Sequence, residues 1–219
     1  MLRKVAKRMI TGIVLGLLFW LSFALLPPPF FTLILLGILG TIILFEWKNF
    51  FTVDQPTFWL LMPLYPILPF ALLISMNEHP LYHKLLFILF ILVSSFDTGS
   101  YIVGTAIGRH KIAPRISPGK SWEGLVGGYV FACIGLYFVL YELDALKSWW
   151  FLMIFTGFMC LLSLAGDLFE SWLKRRAGIK DSGNLLPGHG GFLDRFDGIL
   201  FAVFFFYIFK APLIELFGL

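Results

Sequence analysis

Seven apolar segments constrain the fold of this chain more than any other feature of its sequence. They lie at about 9–26, 30–45, 57–76, 85–108, 123–141, 149–168 and 198–217. A helix needs about 20 apolar residues to cross the hydrocarbon core of a bilayer. Hydrophobic residues make up 59% of the chain and charged residues 14%, against about 45–50% and about 25% in soluble domains. A water-soluble globule and a disordered chain are therefore excluded, and we predict an all-α, polytopic transmembrane helical bundle with about seven spans.

Prolines single out the third apolar segment, which contains Pro63, Pro66 and Pro69. Proline lacks the amide proton that a helix interior needs, and its ring clashes with the preceding turn. We therefore predict that this segment is kinked or re-entrant.

The basic residues predict the orientation of the spans. With the N-terminus in the cytoplasm, 14 of the 17 Lys and Arg residues fall in the cytoplasmic segments, which are 1–8, 46–56, 109–122 and 169–197. Cytoplasmic loops of membrane proteins carry an excess of Lys and Arg, so we expect a cytoplasmic N-terminus. Because further spans follow the first, we expect that first span to be a signal-anchor that is not cleaved.

Asp97 lies near the middle of the fourth apolar segment. A carboxylate at bilayer depth is costly unless it faces a cavity or a partner. At helical spacing it shares one side with Ser100, Tyr101, Gly104 and Gly108, and we expect that side to face other helices. A functional role is favoured over a structural hydrogen bond between helices, because ionisable groups inside membranes are usually functional.

Two acidic clusters flank the segment between the last two spans. Asp167 and Lys174 are seven residues apart and share a helix face, while Asp194 and Asp197 precede the last span. Carboxylates from both clusters would suit Mg²⁺, which takes a few carboxylates together with substrate phosphates. Charge pairing with neighbouring Lys and Arg explains the spacing equally well, so spacing alone leaves both interpretations open.

The stretch 187–191 is rich in glycine and contains His189, Gly190 and Gly191. Glycine lets backbone amides approach an anion closely, although a flexible loop has the same composition. His189 is a candidate acid–base group, with a hydrogen bond within the loop as the more usual alternative.

The loop that contains Lys120 and Ser121 suits phosphate, because it combines hydroxyl groups with basic side chains. It is not a Walker motif, since Pro114 stands where GxxxxGK[ST] requires glycine. Anchoring to anionic lipid headgroups is the alternative role for its basic residues.

Residues 171–197 closely resemble the signature of the phosphatidate cytidylyltransferases, also called CDP-diacylglycerol synthases. The matching stretches read SWLKR, KDSG and LPGHGGFLDRFD in chain order. The upstream SPGKSWEG at 117–124 and the surroundings of Asp97 are similar to the same family. The resemblance covers roughly 97–198, whereas the first 90 residues match only in being hydrophobic.

The resemblance implies that CTP and phosphatidate react to CDP-diacylglycerol and pyrophosphate, with Mg²⁺ paired with a second cation as the cofactor. A phosphate oxygen of the lipid attacks the α-phosphorus of CTP, and pyrophosphate leaves in line. Both reactants are polyanions, and metal ions relieve the repulsion between them. Such a transfer needs positioning and charge neutralisation more than covalent chemistry.

The resemblance also assigns the site residue by residue. The metal ligands it implies are Asp167 and Asp194, with Asp197 as an adjacent candidate. The catalytic set adds Lys174 and His189 to these aspartates. The substrate-binding candidates are Asp97, Ser117, Lys120, Ser121, Glu123, Arg175, Lys180, Asp181, Gly190, Gly191 and Arg195.

We expect one integral membrane domain over 1–219, with N-terminal spans over about 1–84 and a catalytic part over about 85–219. The expected partners are CTP, phosphatidate and membrane lipids, without nucleic acid, and a homodimer is one option. The expected location is the bacterial inner (plasma) membrane, with the active site on its cytoplasmic side.

Other functions remain as alternatives at this point. A related CTP-dependent lipid enzyme, either a polyprenol kinase or a CDP-archaeol synthase, would use similar residues. A CDP-alcohol phosphotransferase is disfavoured because its pattern, DGxxAR followed by GxxxDxxxD, is absent. A small transporter with Asp97 on an ion path would leave the polar segment 171–198 without a purpose.

Overall fold

The computed structural model describes residues 14, 16–143, 145, 148–186, 188 and 190–219. The helices of this part of the chain are α1 (Gly16–Leu25), α2 (Pro28–Thr41), α3 (Trp47–Phe50), α4 (Pro56–Met62), α5 (Leu68–Asn77), α6 (Pro80–Ile107), α7 (Trp122–Glu142), α8 (Trp149–Arg176), α9 (Leu193–Ile208) and α10 (Lys210–Phe217). One π-helical turn, Ile42–Glu46, connects α2 to α3, and another, Pro63–Ile67, connects α4 to α5.

Most of the predicted spans correspond to helices that are long and apolar enough to cross a membrane. Among the described residues these are Pro28–Phe50, Pro56–Asn77, Pro80–Ile107, Trp122–Glu142 and Trp149–Arg176. Helices α9 and α10 form one further candidate span that is bent by 81°. The predicted first span, 9–26, lies partly outside the described residues, and its described part contains the short apolar helix α1. The polytopic all-α architecture is confirmed, and about seven spans is compatible with these helices.

The predicted kink in the third apolar segment is confirmed. Tyr65, within the π-helical turn, has φ −155° and ψ 102°, which are extended rather than helical values. Pro66 follows it inside the helix, and prolines are a usual cause of sharp helix kinks. The stretch Pro56–Asn77 nevertheless remains one candidate span.

A short β-hairpin lies between α6 and α7, in a segment that the sequence analysis treated as a loop. Strand β1 (Lys111–Ala113) pairs in antiparallel fashion with β2 (Ser117–Ser121), and the register shifts within the pair. Pro118 is tolerated in β2 because a two-stranded sheet consists only of edges. The hairpin gives the predicted phosphate loop a defined backbone.

The chain divides into two compact units. Unit 1 comprises the described residues of Met1–Glu78 together with Leu173–Phe196, and unit 2 comprises those of His79–Trp172 together with Asp197–Leu219. The expected division into N-terminal spans and a catalytic part remains a prediction.

In unit 1, aromatic side chains hold the described elements together. The buried indole of Trp47 donates a hydrogen bond to the carbonyl of Phe58 at 3.1 Å, which ties α3 to α4. Phe196 of α9 packs against Phe70 of α5, with ring centroids 5.2 Å apart, and against Phe19 of α1 at 6.0 Å. The first turn of α9 is therefore anchored in the core of this unit.

In unit 2, glycines let α6 and α7 approach closely. A Cβ added at Gly127 would lie 2.4 Å from the Cβ of Val103. A Cβ at Gly128 would lie 2.1 Å from the hydroxyl of Ser100 and 2.6 Å from the carbonyl oxygen of Phe96. Small residues at helix interfaces are the usual way for membrane helices to gain close packing.

The predicted small polar side of α6 is only partly correct. Ser100 and Gly104 do face α7, but Tyr101 is 73% exposed. The contact with α7 also involves Phe96 and Val103, which rotates the buried face of α6 away from Tyr101. Successive residues are about 100° apart around a helix, so the ring of Tyr101 points outward while its neighbour Ser100 is covered.

Candidate active site

In unit 1, a dense set of hydrogen bonds surrounds the buried carboxylate of Asp194 in the first turn of α9. It accepts from the Lys174 ammonium at 2.7 Å, the Ser182 amide and hydroxyl at 2.9 Å each, and the Gly191 amide at 2.7 Å. Residues that the resemblance singled out in 171–197 therefore converge on one carboxylate. Lys174 is itself buried, so this ion pair is shielded from water.

The glycines beside Asp194 are required by close packing. Gly190 has φ +78°, and a Cβ there would lie 2.3 Å from Oδ2 of Asp194. A Cβ at Gly191 would lie 2.2 Å from the hydroxyl of Ser182 and 2.5 Å from Cδ of Glu46. From the sequence, an anion-binding backbone and a flexible loop were equally good interpretations of these glycines. The anion that the Gly191 amide reaches is the side chain of Asp194. Substrate binding by the two glycines remains a prediction.

Glu46 is a candidate site residue that the sequence reasoning missed. It is completely buried at the end of the π-helical turn Ile42–Glu46. Its carboxylate accepts hydrogen bonds from the amides of Phe192 and Leu193 at 2.7 and 2.9 Å, and lies 3.0 Å from the Ser182 hydroxyl. The signal that could have found it is an acid at the edge of an apolar segment, where ionisable residues are usually functional.

In unit 2, Asp167 of α8 is buried and accepts a hydrogen bond from the Lys120 ammonium. Lys120 lies in β2, so the hairpin brings this lysine to the helix. The predicted phosphate-binding lysine and the predicted metal ligand are therefore in direct contact. A Cβ at Gly198 would lie 3.4 Å from Oδ1 of Asp167, which shows how closely α9 passes it. Asp197, half-buried, accepts a hydrogen bond from the Gly198 amide at 2.9 Å.

Two other predicted substrate-binding residues support the local backbone. Ser121 is buried and caps α7 by accepting a hydrogen bond from the Gly124 amide at 3.1 Å. Glu123 lies 2.5 Å from Nδ1 of His110 and accepts from the amides of Arg109 and His110 at 3.2 Å. These contacts connect the start of the hairpin to the start of α7.

The remaining predicted residues fall into three groups. Asp97 in α6 and Ser117 in β2 are half-buried. The exposed members are Arg175, Lys180, Asp181 and Arg195, and the guanidinium of Arg175 donates to the carbonyl of Ile179 at 3.0 Å. His189 lies outside the described residues. All of these assignments remain predictions.

An open groove of about 760 Å³ lies in unit 2. Its apolar wall includes Val103, Ile107, Trp122 and Val126, and its polar end includes His110, Lys111 and Glu123. Both α6 and α7 are candidate membrane spans, so a groove along them combines apolar surface with a polar end that carries both basic and acidic groups.

Each unit contains a buried carboxylate of the chemical type that binds divalent cations: Asp194 in unit 1 and Asp167 in unit 2. Asp167 and Asp194 are buried and each already binds an ammonium group, and carboxylate oxygens are ligands that Mg²⁺ prefers. Among the described residues, however, no three His, Cys, Asp or Glu side chains form a group able to hold a metal ion. A metal bound at either carboxylate would need substrate phosphates or water as further ligands, which is usual for Mg²⁺.

These features define a polytopic helical membrane protein with two buried acid–lysine pairs and several exposed basic residues. The chain belongs to the cytidylyltransferase family, whose model matches residues 48–212.

Several curated relatives carry the name phosphatidate cytidylyltransferase. The protein of Haemophilus influenzae is 40% identical over 170 residues, which cover 71% of this chain and 58% of that relative. The protein of Staphylococcus saprophyticus is 40% identical over 156 residues, covering 71% of this chain and 59% of the relative. The protein of Bacillus subtilis is 39% identical over 167 residues, covering 75% and 61%. The match thus spans about three fifths of the length of these relatives.

Proposed function

We propose that this integral membrane protein transfers the cytidylyl group of CTP to phosphatidate, giving CDP-diacylglycerol and pyrophosphate. The proposal is supported by membership of the cytidylyltransferase family and by the names of the relatives. The observation that carries it is the arrangement around Asp194, where Lys174, Ser182 and Gly191 all contact one buried carboxylate. All four residues lie in the segment that resembles the signature of phosphatidate cytidylyltransferases.

In the proposed reaction, a phosphate oxygen of the lipid forms a bond to the α-phosphorus of CTP. The bond from that phosphorus to the oxygen bridging to the β-phosphorus breaks, and pyrophosphate takes the electron pair. Because both reactants are anionic, fixed positive charge at the site lowers the barrier. We propose Lys120 and Lys174 for this role, since each is already held in place by a carboxylate.

We propose Mg²⁺, paired with a second cation, as the cofactor, with Asp167, Asp194 and Asp197 as candidate ligands. When bound, the metal would supply charge neutralisation at the phosphates. The chain's own contribution is positioning: β2 orients Lys120, and the start of α9 orients Asp194. Arg175, Lys180 and Arg195 are exposed and add positive charge that we propose attracts CTP.

The groove of unit 2 supports a lipid substrate. Apolar side chains such as Val126 and Ile107 match an acyl chain, and Lys111 at the polar end matches a phosphate group. Membrane lipids in general would fit the same chemistry. A homodimer is a further possibility, and the mass of the purified protein in detergent would test it.

We propose that the N-terminus and the active site lie on the cytoplasmic side of the bacterial inner membrane. The excess of Lys and Arg in the segments assigned to that side supports this orientation. CTP is a cytosolic nucleotide, so an active site on this side would have direct access to it.

The experiment that tests the proposed function uses the full chain purified in detergent. CTP labelled in the cytidine moiety is added with phosphatidate and Mg²⁺, and label in the lipid phase is measured together with released pyrophosphate. We expect both products in equal amounts, and none after addition of EDTA. Release of CDP with phosphorylation of a polyprenol would indicate a lipid kinase instead. Absence of label from the lipid phase would overturn the proposal.

A further inference from the structure

We infer that Glu46 is a positioning residue for the proposed reaction: its carboxylate holds the start of α9 and thereby places Asp194. The inference rests on the proposed function for its kinetic consequences. It goes beyond the family match, because Glu46 lies outside the matched residues 48–212.

The burial of Glu46 requires an explanation. Its side chain is completely buried, and an ionised carboxylate removed from water is strongly disfavoured unless hydrogen bonds replace its hydration. The amides of Phe192 and Leu193 and the hydroxyl of Ser182 are within hydrogen-bonding distance of it. All three groups belong to the segment that carries the family signature, so the carboxylate of Glu46 contacts that segment through each of them.

The two amides are those that a helix start leaves without partners. Helix α9 begins at Leu193, and the first amides of a helix have no carbonyl within the helix to bind. A carboxylate at this end also interacts favourably with the helix dipole. Glu46 therefore caps α9 from a distant part of the chain, a role that an N-cap side chain usually performs locally.

The amides that donate to Glu46 and to Asp194 are consecutive in the chain, and the Ser182 hydroxyl lies near both carboxylates. The Gly191 amide donates to Asp194, while the next two amides in the chain donate to Glu46. The Ser182 hydroxyl lies 2.9 Å from Asp194 and 3.0 Å from Glu46. Moving the carboxylate of Glu46 would therefore move the backbone from which Asp194 extends.

The local backbone is shaped to allow this contact. The π-helical turn that ends at Glu46 is a rare element that occurs frequently at functional sites. Next to the donors Ser182 and Phe192, a Cβ at Gly183 would lie 3.1 Å from Cγ of Glu46, and one at Gly191 would lie 2.5 Å from its Cδ. A side chain at Gly191 would therefore displace the carboxylate, and one at Gly183 would crowd it.

The test compares Glu46→Gln with Glu46→Asp and with the control Glu142→Gln, which makes the same change at an exposed position of α7. The glutamine variant has the size of glutamate but turns one acceptor into a donor that opposes an amide or a hydroxyl. Two properties are measured on the full chain in detergent: amide hydrogen exchange over 183–193, and kcat and KM for CTP and phosphatidate.

We expect Glu46→Gln to speed amide hydrogen exchange over 183–193. We also expect it to lower kcat by at least about tenfold because Asp194 is misplaced, which corresponds to an activation free energy raised by about 1.4 kcal/mol. The KM for phosphatidate should stay unchanged. Glu46→Asp should recover part of kcat because it keeps the charge, and Glu142→Gln should behave as wild type. Unchanged exchange in Glu46→Gln would overturn the inference, and so would faster exchange with an unchanged kcat, since the cap would then be purely structural.

Two provisions keep the outcome decisive. If Glu46→Gln does not fold, Glu46→Asp is compared with Ser182→Ala, which removes the hydroxyl that lies near both carboxylates and leaves the carboxylates themselves. An unchanged kcat in both variants would overturn the inference. If the wild-type chain shows no transfer of label, the proposed function fails, and with it the kinetic part of the inference. The exchange measurement then still decides whether Glu46 caps α9.

Discussion

The ammonium of Lys174 lies 2.7 Å from Oδ1 of Asp194, and both side chains are buried. The pair joins the last turns of α8 to the first turn of α9 within unit 1. Burying two charges removes hydration from both, and their mutual attraction often does no more than compensate. A net gain in stability is therefore a weak explanation for the pair, whereas fixed orientation of both groups is consistent with a role in charge neutralisation.

Substituting Asp194 by Asn should abolish most of the activity. The change keeps the size of the side chain but removes the charge opposite Lys174, and breaking a buried pair costs about 3–5 kcal/mol. We expect kcat to fall at least a hundredfold and the melting temperature to fall as well, measured by label transfer and by thermal unfolding in detergent. The control is Asp54→Asn, at an exposed position of the same unit. Wild-type turnover in Asp194→Asn would contradict the proposed role.

The contact between Lys120 and Asp167 predicts coupled effects on kinetics. Lys120→Ala should raise the KM for a phosphate-bearing substrate, because the variant lacks the ammonium group that we propose binds the phosphate. The control is Lys84→Ala, at an exposed position. Asp167→Asn should lower kcat. Residues in direct contact give non-additive effects, so the double variant should lose less than the product of the single losses. Strict additivity would indicate that the two side chains act separately.

Filling the groove of unit 2 should affect the lipid substrate alone. Val126→Trp places a large ring in the apolar wall, and we expect a KM for phosphatidate raised several-fold with an unchanged KM for CTP. Val130→Trp is the matched control, since Val130 lies one turn further along α7 and is exposed to a similar degree. Equal effects of the two variants, or an effect on CTP only, would rule out the groove as the lipid site.

The close contact of α6 and α7 predicts a stability effect. At Gly128, an added methyl group would meet the carbonyl oxygen of Phe96 at 2.6 Å, and backbone cannot move aside cheaply. Gly128→Ala should therefore destabilise the protein by about 1–3 kcal/mol, the usual range for overpacking. Gly157→Ala is the control, because its Cβ would meet Tyr129 at an ordinary 3.5 Å. The melting temperatures of the two variants in detergent provide the comparison, and equal values would show that the helices can separate without penalty.

The sequence alone determined the helical architecture and the residues of the signature. Segments 85–108 and 123–141 correspond to α6 and α7, and the prolines of 57–76 predicted a kinked or re-entrant segment, whose non-helical residue is Tyr65. This part of the fold is readable because each membrane helix satisfies its own backbone hydrogen bonds. Its existence therefore depends on the local run of apolar residues and not on distant contacts.

Only the tertiary structure decided which charges meet. The contacts of Glu46 join residues that are 136 to 147 positions apart, and a single acid at the end of an apolar segment has no periodicity that points to its partner. The hairpin that carries Lys120 and the outward position of Tyr101 were missed for the same reason. Helix rotation and loop conformation are set by packing between elements, and a pattern along one segment contains no information about the neighbour against which it packs.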